Sequence, residues 1–272
     1  VTLEEIVSDA VRAAVTPDTG VLLSGGLDSS VVACIARECP TFTGYYEGEP
    51  YDERGYAHLA AGADHADILI TPQDFCENFD AMRDAVTPPY TGPGMLGQFV
   101  VAKEVSEFID HALTGEGADE LFGGYARLMI VAGQQRPDGY SNYELPADYP
   151  RDLEAALAHD LAALAQLARV DDEIAAANGL TITAPLMNEA VVEYALALPA
   201  CERVGKKVLR DAVRGLVPDE IIDRTDKRGF PVPFVHWAQE EPVRSFVHSR
   251  IGYLPDIARP WDREWWNDLM AA

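Results

Sequence analysis

The sequence predicts an α/β fold: a parallel sheet with helices on both faces, followed by a helical C-terminal part. Two patterns carry this expectation. Short apolar runs that stop at small residues recur as far as Tyr125, and segments with helical apolar spacing separate them. Strands that alternate with helices are joined by crossovers, which make the sheet parallel and cover both its faces. The chain is also large enough to fill such a fold, since 272 residues at 48% hydrophobic content can bury a sizeable core.

In chain order, residues 4–15 have helical spacing at Ile6, Val7, Ala10, Val11 and Ala14. Residues 20–23 form a buried strand that stops at Ser24-Gly25-Gly26, and a helix follows over 28–37. A second strand is expected at 41–46, a helix at 53–61 and a third strand at 66–70. Thr71-Pro72 starts the next helix, with threonine as cap and proline at the first position. A helix over 98–109 leads into a short strand at 111–113. Residues 133–150 are rich in Pro, Gly, Tyr and Asn and read as a loop or mobile lid, and from Asp152 onward the chain reads as mostly helical. The predicted division is therefore an α/β core over 1–132, a loop or lid over 133–150 and a helical part over 151–272 that completes the site.

Composition excludes several function classes. Asp plus Glu number 45 against 21 Lys plus Arg, a net charge of −24, with lysines only at 103, 206, 207 and 227. Such a surface suits a concentrated-salt cytoplasm, where screening shortens self-repulsion, and it disfavours a nucleic-acid partner. No run reaches the ~18 apolar residues of a membrane span. The opening Val1-Thr2-Leu3-Glu4-Glu5 lacks the basic flank and apolar stretch of a signal peptide, so a cytoplasmic location is expected. Cys34, Cys39, Cys76 and Cys201 form no C-x-x-C pair, and the six histidines show no zinc spacing. Neither a structural zinc nor an iron–sulfur cluster is expected.

Three features carry chemistry. In Leu22-Leu23-Ser24-Gly25-Gly26-Leu27-Asp28-Ser29-Ser30 a strand runs through small residues straight into a helix. Backbone N–H groups can converge there on an anion at the positive end of the helix, with Ser24, Ser29 and Ser30 adding hydroxyl donors and Asp28 able to hold magnesium. No lysine follows the glycines, which separates this loop from the G-x-x-x-x-G-K-[ST] type. The second feature, Thr114-Gly115-Glu116-Gly117-Ala118-Asp119-Glu120, again follows a strand and places three carboxylates within five positions. Clustered carboxylates call for a cation, which makes Asp119 a second candidate magnesium ligand and Glu116 a candidate proton acceptor. The third is a run of positive charge, Lys206, Lys207, Arg210, Arg214, Arg224, Lys227 and Arg228. It suggests an oligophosphate partner, against the plainer reading of pairs with Asp211, Asp219 and Asp226.

These residues resemble a family. Ser24-Gly25-Gly26-Leu27-Asp28-Ser29 is similar to the phosphate loop of ATP pyrophosphatases, and the run from Gly115 to Tyr125 resembles the synthetase domain of asparagine synthetases, β-lactam synthetases and lasso-peptide cyclases. Asp52-Glu53 with Tyr56-Ala57, Ala184-Pro185-Leu186, and Lys227 with Gly229-Phe230 add weaker matches. The resemblance implies an adenine nucleotide α-hydrolase-like sheet and an amide ligase using ATP and Mg2+. A substrate carboxylate would attack the α-phosphorus, release pyrophosphate, and be passed from AMP to ammonia or another amine. Leu23, Gly44, Thr114 and Gly115 would line the adenine and ribose site, with Ser24, Gly25, Gly26, Leu27, Asp28, Ser29 and Ser30 at the phosphates. Asp28 and Asp119 would hold magnesium, Lys227 would offset charge on pyrophosphate, and Glu116 would stand by the acyl-adenylate and the amine. Two departures are visible. The family's Glu-x-Arg-x-Pro-Phe-Leu-Asp segment near the acceptor pocket reads Thr181-Ile182-Thr183-Ala184-Pro185-Leu186-Met187-Asn188, which argues against aspartate as the carboxylate. The family's glutaminase nucleophile is an N-terminal cysteine and this chain begins at Val1, so ammonia used directly or a separate glutaminase subunit is expected. A homo-oligomer stays open. Two other readings compete: a transfer-RNA-modifying ATP pyrophosphatase, which shares the first loop, and a nucleotide-binding regulatory protein without catalysis.

Overall fold

Five parallel strands form the centre of the protein in the computed structural model, which describes residues 1–48, 52–90, 92, 94–135, 143–225 and 232–251. The first half of the chain alternates as predicted: α1 (Leu3–Ala14), β1 (Thr19–Leu22), α2 (Leu27–Ile35), β2 (Thr41–Tyr45), α3 (Arg54–Ala60), β3 (His65–Leu69), α4 (Pro72–Ala85), α5 (Gly94–Val105) and β4 (His111–Leu113). Short helices α6 (Ala118–Leu121) and α7 (Ala126–Val131) follow, then the long α8 (Leu153–Ala177) and β5 (Thr181–Thr183). The remainder is helical: α9 (Glu189–Ala197), α10 (Ala200–Arg203), α11 (Lys207–Ala212), α12 (Asp219–Ile222), α13 (Phe234–Trp237) and α14 (Val243–Ile251). Among the described residues, no helix is long and apolar enough to cross a membrane.

Local signals account for several boundaries. Thr2 caps α1 by accepting from Glu5 N at 3.2 Å while its own N–H donates to Glu5 Oε2 at 2.7 Å. Thr71 and Asp74 repeat that reciprocal cap at α4, with Pro72 in the first turn, where a missing N–H costs nothing. Along the strands, alternate side chains enter opposite layers. Val21, Leu23 and Leu113 join a core that includes Val11, Val31, Leu121, Leu209 and Ile222. Leu22, Phe42 and Ala112 face the other core, with Phe99, Val105, Val170 and Ile174. A smaller third core gathers Leu128, Tyr149, Leu157 and Val204.

The strand order is β3-β2-β1-β4-β5. The chain winds outward from β1 to β3, crosses back, and continues through β4 and β5. The order reverses between β1 and β4, so the loops after these two strands meet at adjacent strand ends, the place where such sheets open a ligand crevice.

One element departs from expectation. Thr181–Thr183 lies in the part of the chain read as helical, yet it pairs in parallel with β4, Ala112 opposite Ile182. A three-residue strand with a single apolar side chain offers no alternation to read. Its anchor is His111, whose ring meets Thr19 Oγ1 at Nδ1 and Thr183 Oγ1 at Nε2, both at 2.9 Å, tying β1, β4 and β5 together.

Of the expected lid over 133–150, residues 136–142 lie outside the described residues, and its far end is anchored. Tyr149 is buried and donates to Asp160 Oδ2 at 2.9 Å, and Asp160, itself 1% exposed, also accepts from Arg127 Nε at 2.9 Å. This holds the end of the segment on α8.

Leu113 is fully buried in the central β4. Leu113→Ala is expected to cost ~2–5 kcal/mol, read as a fall in melting temperature of roughly 2–4 °C per kcal/mol for a chain of this size. Leu196→Gln on the exposed face of α9 is expected to stay within about 0.5 kcal/mol. Equal melting temperatures for the two variants would contradict the assigned core.

Candidate functional site

The loop after β1 is built by its own serines. Ser29 Oγ receives Ser24 N at 3.1 Å, lies 3.0 Å from Ser24 Oγ and donates to Gly26 O at 3.3 Å, so it serves the loop before any ligand. Gly26 caps α2 without a side-chain hydrogen bond, which leaves the first N–H groups of that helix available to an anion. Asp28 and Ser29 are buried, and Ser30 is enclosed completely, its Oγ without a hydrogen-bond partner. The Gly25 carbonyl accepts from Arg224 Nη1 at 3.4 Å.

The loop after β4 presses directly on this one. A Cβ on Gly115 would lie 2.5 Å from Ser29 N and 2.6 Å from the Asp28 carbonyl carbon, both backbone atoms that cannot yield. Its three carboxylates take separate directions. Glu120 is buried and accepts the Tyr125 hydroxyl. Glu116 turns inward, with Oε1 buried and lacking a hydrogen-bond partner. Burial first, then the charges of Asp171, Glu120 and Asp172, push its pKa up to about 8. Asp119 meets a cation.

That cation is Lys206. Its Nζ lies 2.5 Å from Asp28 Oδ2 and 2.6 Å from Asp119 Oδ1, joining the two loops through one buried ammonium. The backbone fixes the approach: Gly205 N donates to Gly123 O and Lys206 N to Phe122 O, each at 2.9 Å. Lys206 adopts φ 58°, a left-handed conformation rare outside glycine and a mark of functional sites. Its side chain passes over Gly124, where a Cβ would stand 1.9 Å from Asp119 Oδ1 and 2.1 Å from Lys206 Cε. Two carboxylates that converge on one positive charge have the donor chemistry of a divalent-cation site, and the ammonium stands where such a cation would be held.

Two cavities open beside this bridge. One of ≈ 230 Å³ is lined by Leu23, Ser24, Phe42, Gly44, Val101, Thr114, Ile174 and Ile182, a mostly apolar slot at the strand ends. At its rim Asp171 accepts from Gln98 Nε2 at 2.9 Å, and burial pushes its pKa up to about 6. The other, of ≈ 460 Å³, is lined by Leu27, Asp119, Gly124, Lys206, Arg210, Asp223 and Arg224. Arg224 is held there by Glu53 and stacks 4.0 Å above the Tyr56 ring.

The expected residues thus sort by place. Leu23, Ser24, Gly44 and Thr114 line the apolar slot, whereas Leu27 and Asp119 line the polar cavity, and Asp28 and Gly115 sit at the seam between the loops. Lys227 lies outside the described residues, as do Asp226, Arg228, Gly229 and Phe230. Of the basic run, Lys206, Arg210 and Arg224 face the polar cavity, while Arg214 pairs with Asp219 and Asp223 and Lys207 is exposed. In the expected acceptor-pocket segment, Thr183 bonds His111, Thr181 is exposed, and Asn188 caps α9 by accepting from Ala190 N at 3.1 Å. Sequence reasoning named Lys206 only as one of seven basic residues and did not single out Asp171, Gln98 or Arg224. The visible signal was Glu53 beside Tyr56, the pair that holds Arg224.

Comparison with known proteins agrees with this geometry. A family model described as Asparagine synthase matches residues 2–168 and 150–264. A Mycobacterium tuberculosis protein, provisionally named a glutamine-hydrolyzing asparagine synthetase, is 28% identical over 94% of this chain and 52% of its own length. Glutamine-hydrolyzing asparagine synthetase 1 of Bacillus subtilis is 23% identical over 88% of this chain and 50% of its own. The Gallus gallus asparagine synthetase is 26% identical over 75% and 38%. The chain spans about half the length of the first two relatives. With the family model covering both candidate loops and most of the sheet and helices, the chain belongs to the asparagine synthase family.

Proposed function

We propose that this chain is an ATP-dependent ligase that adenylates a small-molecule carboxylate and passes the acyl group to ammonia or another amine. The observation that carries this reading is the Lys206 ammonium between Asp28 and Asp119, set beside an apolar slot at the switch point of the sheet. The slot suits an adenine ring, with Leu23, Phe42 and Ile182 against its faces and Gly44 leaving room at one edge. Thr114 and Gly115 stand where the ribose would follow, and the N–H groups at the start of α2 where the phosphates would.

Carboxylate oxygen then attacks the α-phosphorus, the bond to the β-phosphate oxygen breaks, and pyrophosphate leaves. Lys206, Arg210 and Arg224 face the polar cavity and offset the charge that develops there. Lys227 is assigned the same task by family resemblance. Asp28 and Asp119 would hold Mg2+, whose role is to neutralise phosphate charge. In the second half, nitrogen attacks the acyl carbon and AMP departs. Glu116, which burial keeps protonated until pH approaches about 8, takes a proton from the nitrogen in its ionised form. The separate glutaminase half that would supply ammonia is proposed as another subunit or domain. The four free cysteines fit a reducing cytoplasm.

The direct test is pyrophosphate release from ATP and magnesium in molar salt, with ammonium, across a panel of carboxylic acids including aspartate. Release that depends on one acid is expected. ATP binding without release for any acid would favour a regulatory nucleotide-binding protein. Asp119→Asn and Lys227→Ala should each lower turnover by at least ~10²-fold, the scale of losing one transition-state charge partner, with a cooperative melt retained in both, since Lys206 keeps Asp28 as a partner when Asp119 is replaced. Wild-type-like release by either would remove its assigned role.

The Glu116 carboxyl gives a pH prediction. Between its ordinary 4.5 and about 8 it stays protonated in the folded chain while the unfolded chain ionises. Stability linked to it is fully present below about 4.5 and is lost as pH rises through about 8. The loss is on the order of a few kcal/mol, since tenfold in proton affinity is ~1.4 kcal/mol. Melting temperature measured from pH 5 to 9 should fall less for Glu116→Gln than for the wild type. Amide formation by that variant should lose its rise toward pH 8 while pyrophosphate release persists. Parallel melting profiles would place Glu116 in water.

A further inference from the structure

Two strands away from this crevice, at the edge of the sheet, His58, His65 and Asp67 converge. His65 and Asp67 alternate along β3 and share a face, and His58 reaches them from α3. Asp67 Oδ1 lies 3.1 Å from both imidazole Nε2 atoms, and Asp67 Oδ2 lies 3.0 Å from that of His58. The two rings stand 5.1 Å apart and nearly perpendicular, at 81°. All three ligand atoms fall within 4.8 Å of one another, the one such group of three or more among the described residues.

His65 is held from behind: its Nδ1 lies 2.8 Å from Thr41 Oγ1, which lies 3.4 Å from Asp64 O. With the ring proton on Nδ1, Nε2 presents a lone pair toward the Asp67 carboxylate 3.1 Å away, and a cation between them completes the arrangement. A hydrogen-bonded Nδ1 that fixes the ring and leaves Nε2 to bind is also the usual outer support of a metal-ligating histidine. Donors each ~2.1 Å from one ion stand roughly 3.0–3.4 Å apart, the spacing already present around Asp67. Nearby Asp52 is committed to Arg54, with 2.6 Å between Asp52 Oδ2 and Arg54 Nη2.

We infer that His58, His65 and Asp67 form a binding site for a divalent transition-metal ion of the zinc class, distinct from the Asp28–Asp119 pair. Two imidazoles and one carboxylate select such an ion over magnesium, which takes oxygen ligands. Three protein ligands leave an open coordination position. The ion clamps α3 onto the edge strand. This connects to the crevice, because Glu53 at the head of α3 and Tyr56 within it hold Arg224 in the polar cavity.

The test uses the 272-residue chain stripped of metal by chelator. Co2+ is titrated while its visible absorption is followed, Zn2+ is used as competitor, and bound zinc is measured after dialysis. One equivalent per chain is expected at this site. His58→Ala and Asp67→Asn should each weaken binding at least ~10-fold, the lower end of losses seen when even outer partners of a metal ligand are removed. Asp119→Asn should leave Co2+ binding unchanged. Zn2+ should raise the melting temperature of the wild type but not of His58→Ala, a half-exposed position whose loss leaves the metal-free melt unaltered. No saturable binding, or binding undiminished in both His58→Ala and Asp67→Asn, would overturn the site and reduce the trio to a hydrogen-bonded His–Asp cluster.

Discussion

One buried ammonium holds two loops that come from different parts of the sheet. Asp28 begins the helix after β1 and Asp119 the helix after β4, and both would repel across the seam without Lys206. Taking charges out of water is costly, and removing one partner of a buried pair costs about 3–5 kcal/mol because the other charge is stranded. Lys206 reaches both carboxylates at once, and Arg210 lies close enough to feel both. Under the proposed function the same two carboxylates would hold Mg2+ beside the ammonium.

The glycines around the bridge follow from it. Gly115 allows the Asp28 backbone to approach, and Gly124 leaves the channel through which the Lys206 side chain passes. Any side chain at either place would separate the loops or displace the lysine. The strained φ of Lys206 belongs to the same requirement: the turn at Gly205 and Lys206 is clipped to Phe122 and Gly123 by two backbone hydrogen bonds. A left-handed residue then aims the ammonium inward instead of into solvent.

Much of this was legible in the sequence, and the reasons for the rest are physical. Strands β1 and β4 were readable because each runs into small residues, and α4 because Thr71, Pro72 and Asp74 spell out its first turn. β5 was not, since its stability comes from pairing with β4 and from His111, neither of which leaves a periodic trace. The two loops were legible as sites because Asp28, Glu116 and Asp119 sit among glycines. Lys206 was visible only as one member of a basic run. Its partner Asp28 is 178 positions earlier, and no local pattern encodes a contact that the folded sheet creates. Burial is equally non-local: the sequence offered Glu116 as a proton acceptor, but nothing local shows that its surroundings, Asp171 and Asp172 on α8 included, push its pKa up to about 8.

Under the proposed function, the charge distribution sets how anionic substrates would reach this centre. At −24 the chain repels anions such as ATP and a carboxylate over long range. Lys206, Arg210 and Arg224 nevertheless line one cavity together with Asp119 and Asp223, so basic groups are concentrated there relative to the acidic exterior. The distances separate these effects. Repulsion between exposed charges fades beyond about 8 Å at physiological ionic strength and about 3 Å in molar salt. Contacts of 2.5 and 2.6 Å inside the bridge are shorter than either length and largely shielded from mobile ions. Added salt therefore weakens the barrier to approach more than it weakens the site. For an anion, an acidic exterior gains association rate from salt, where a basic surface would lose its electrostatic steering.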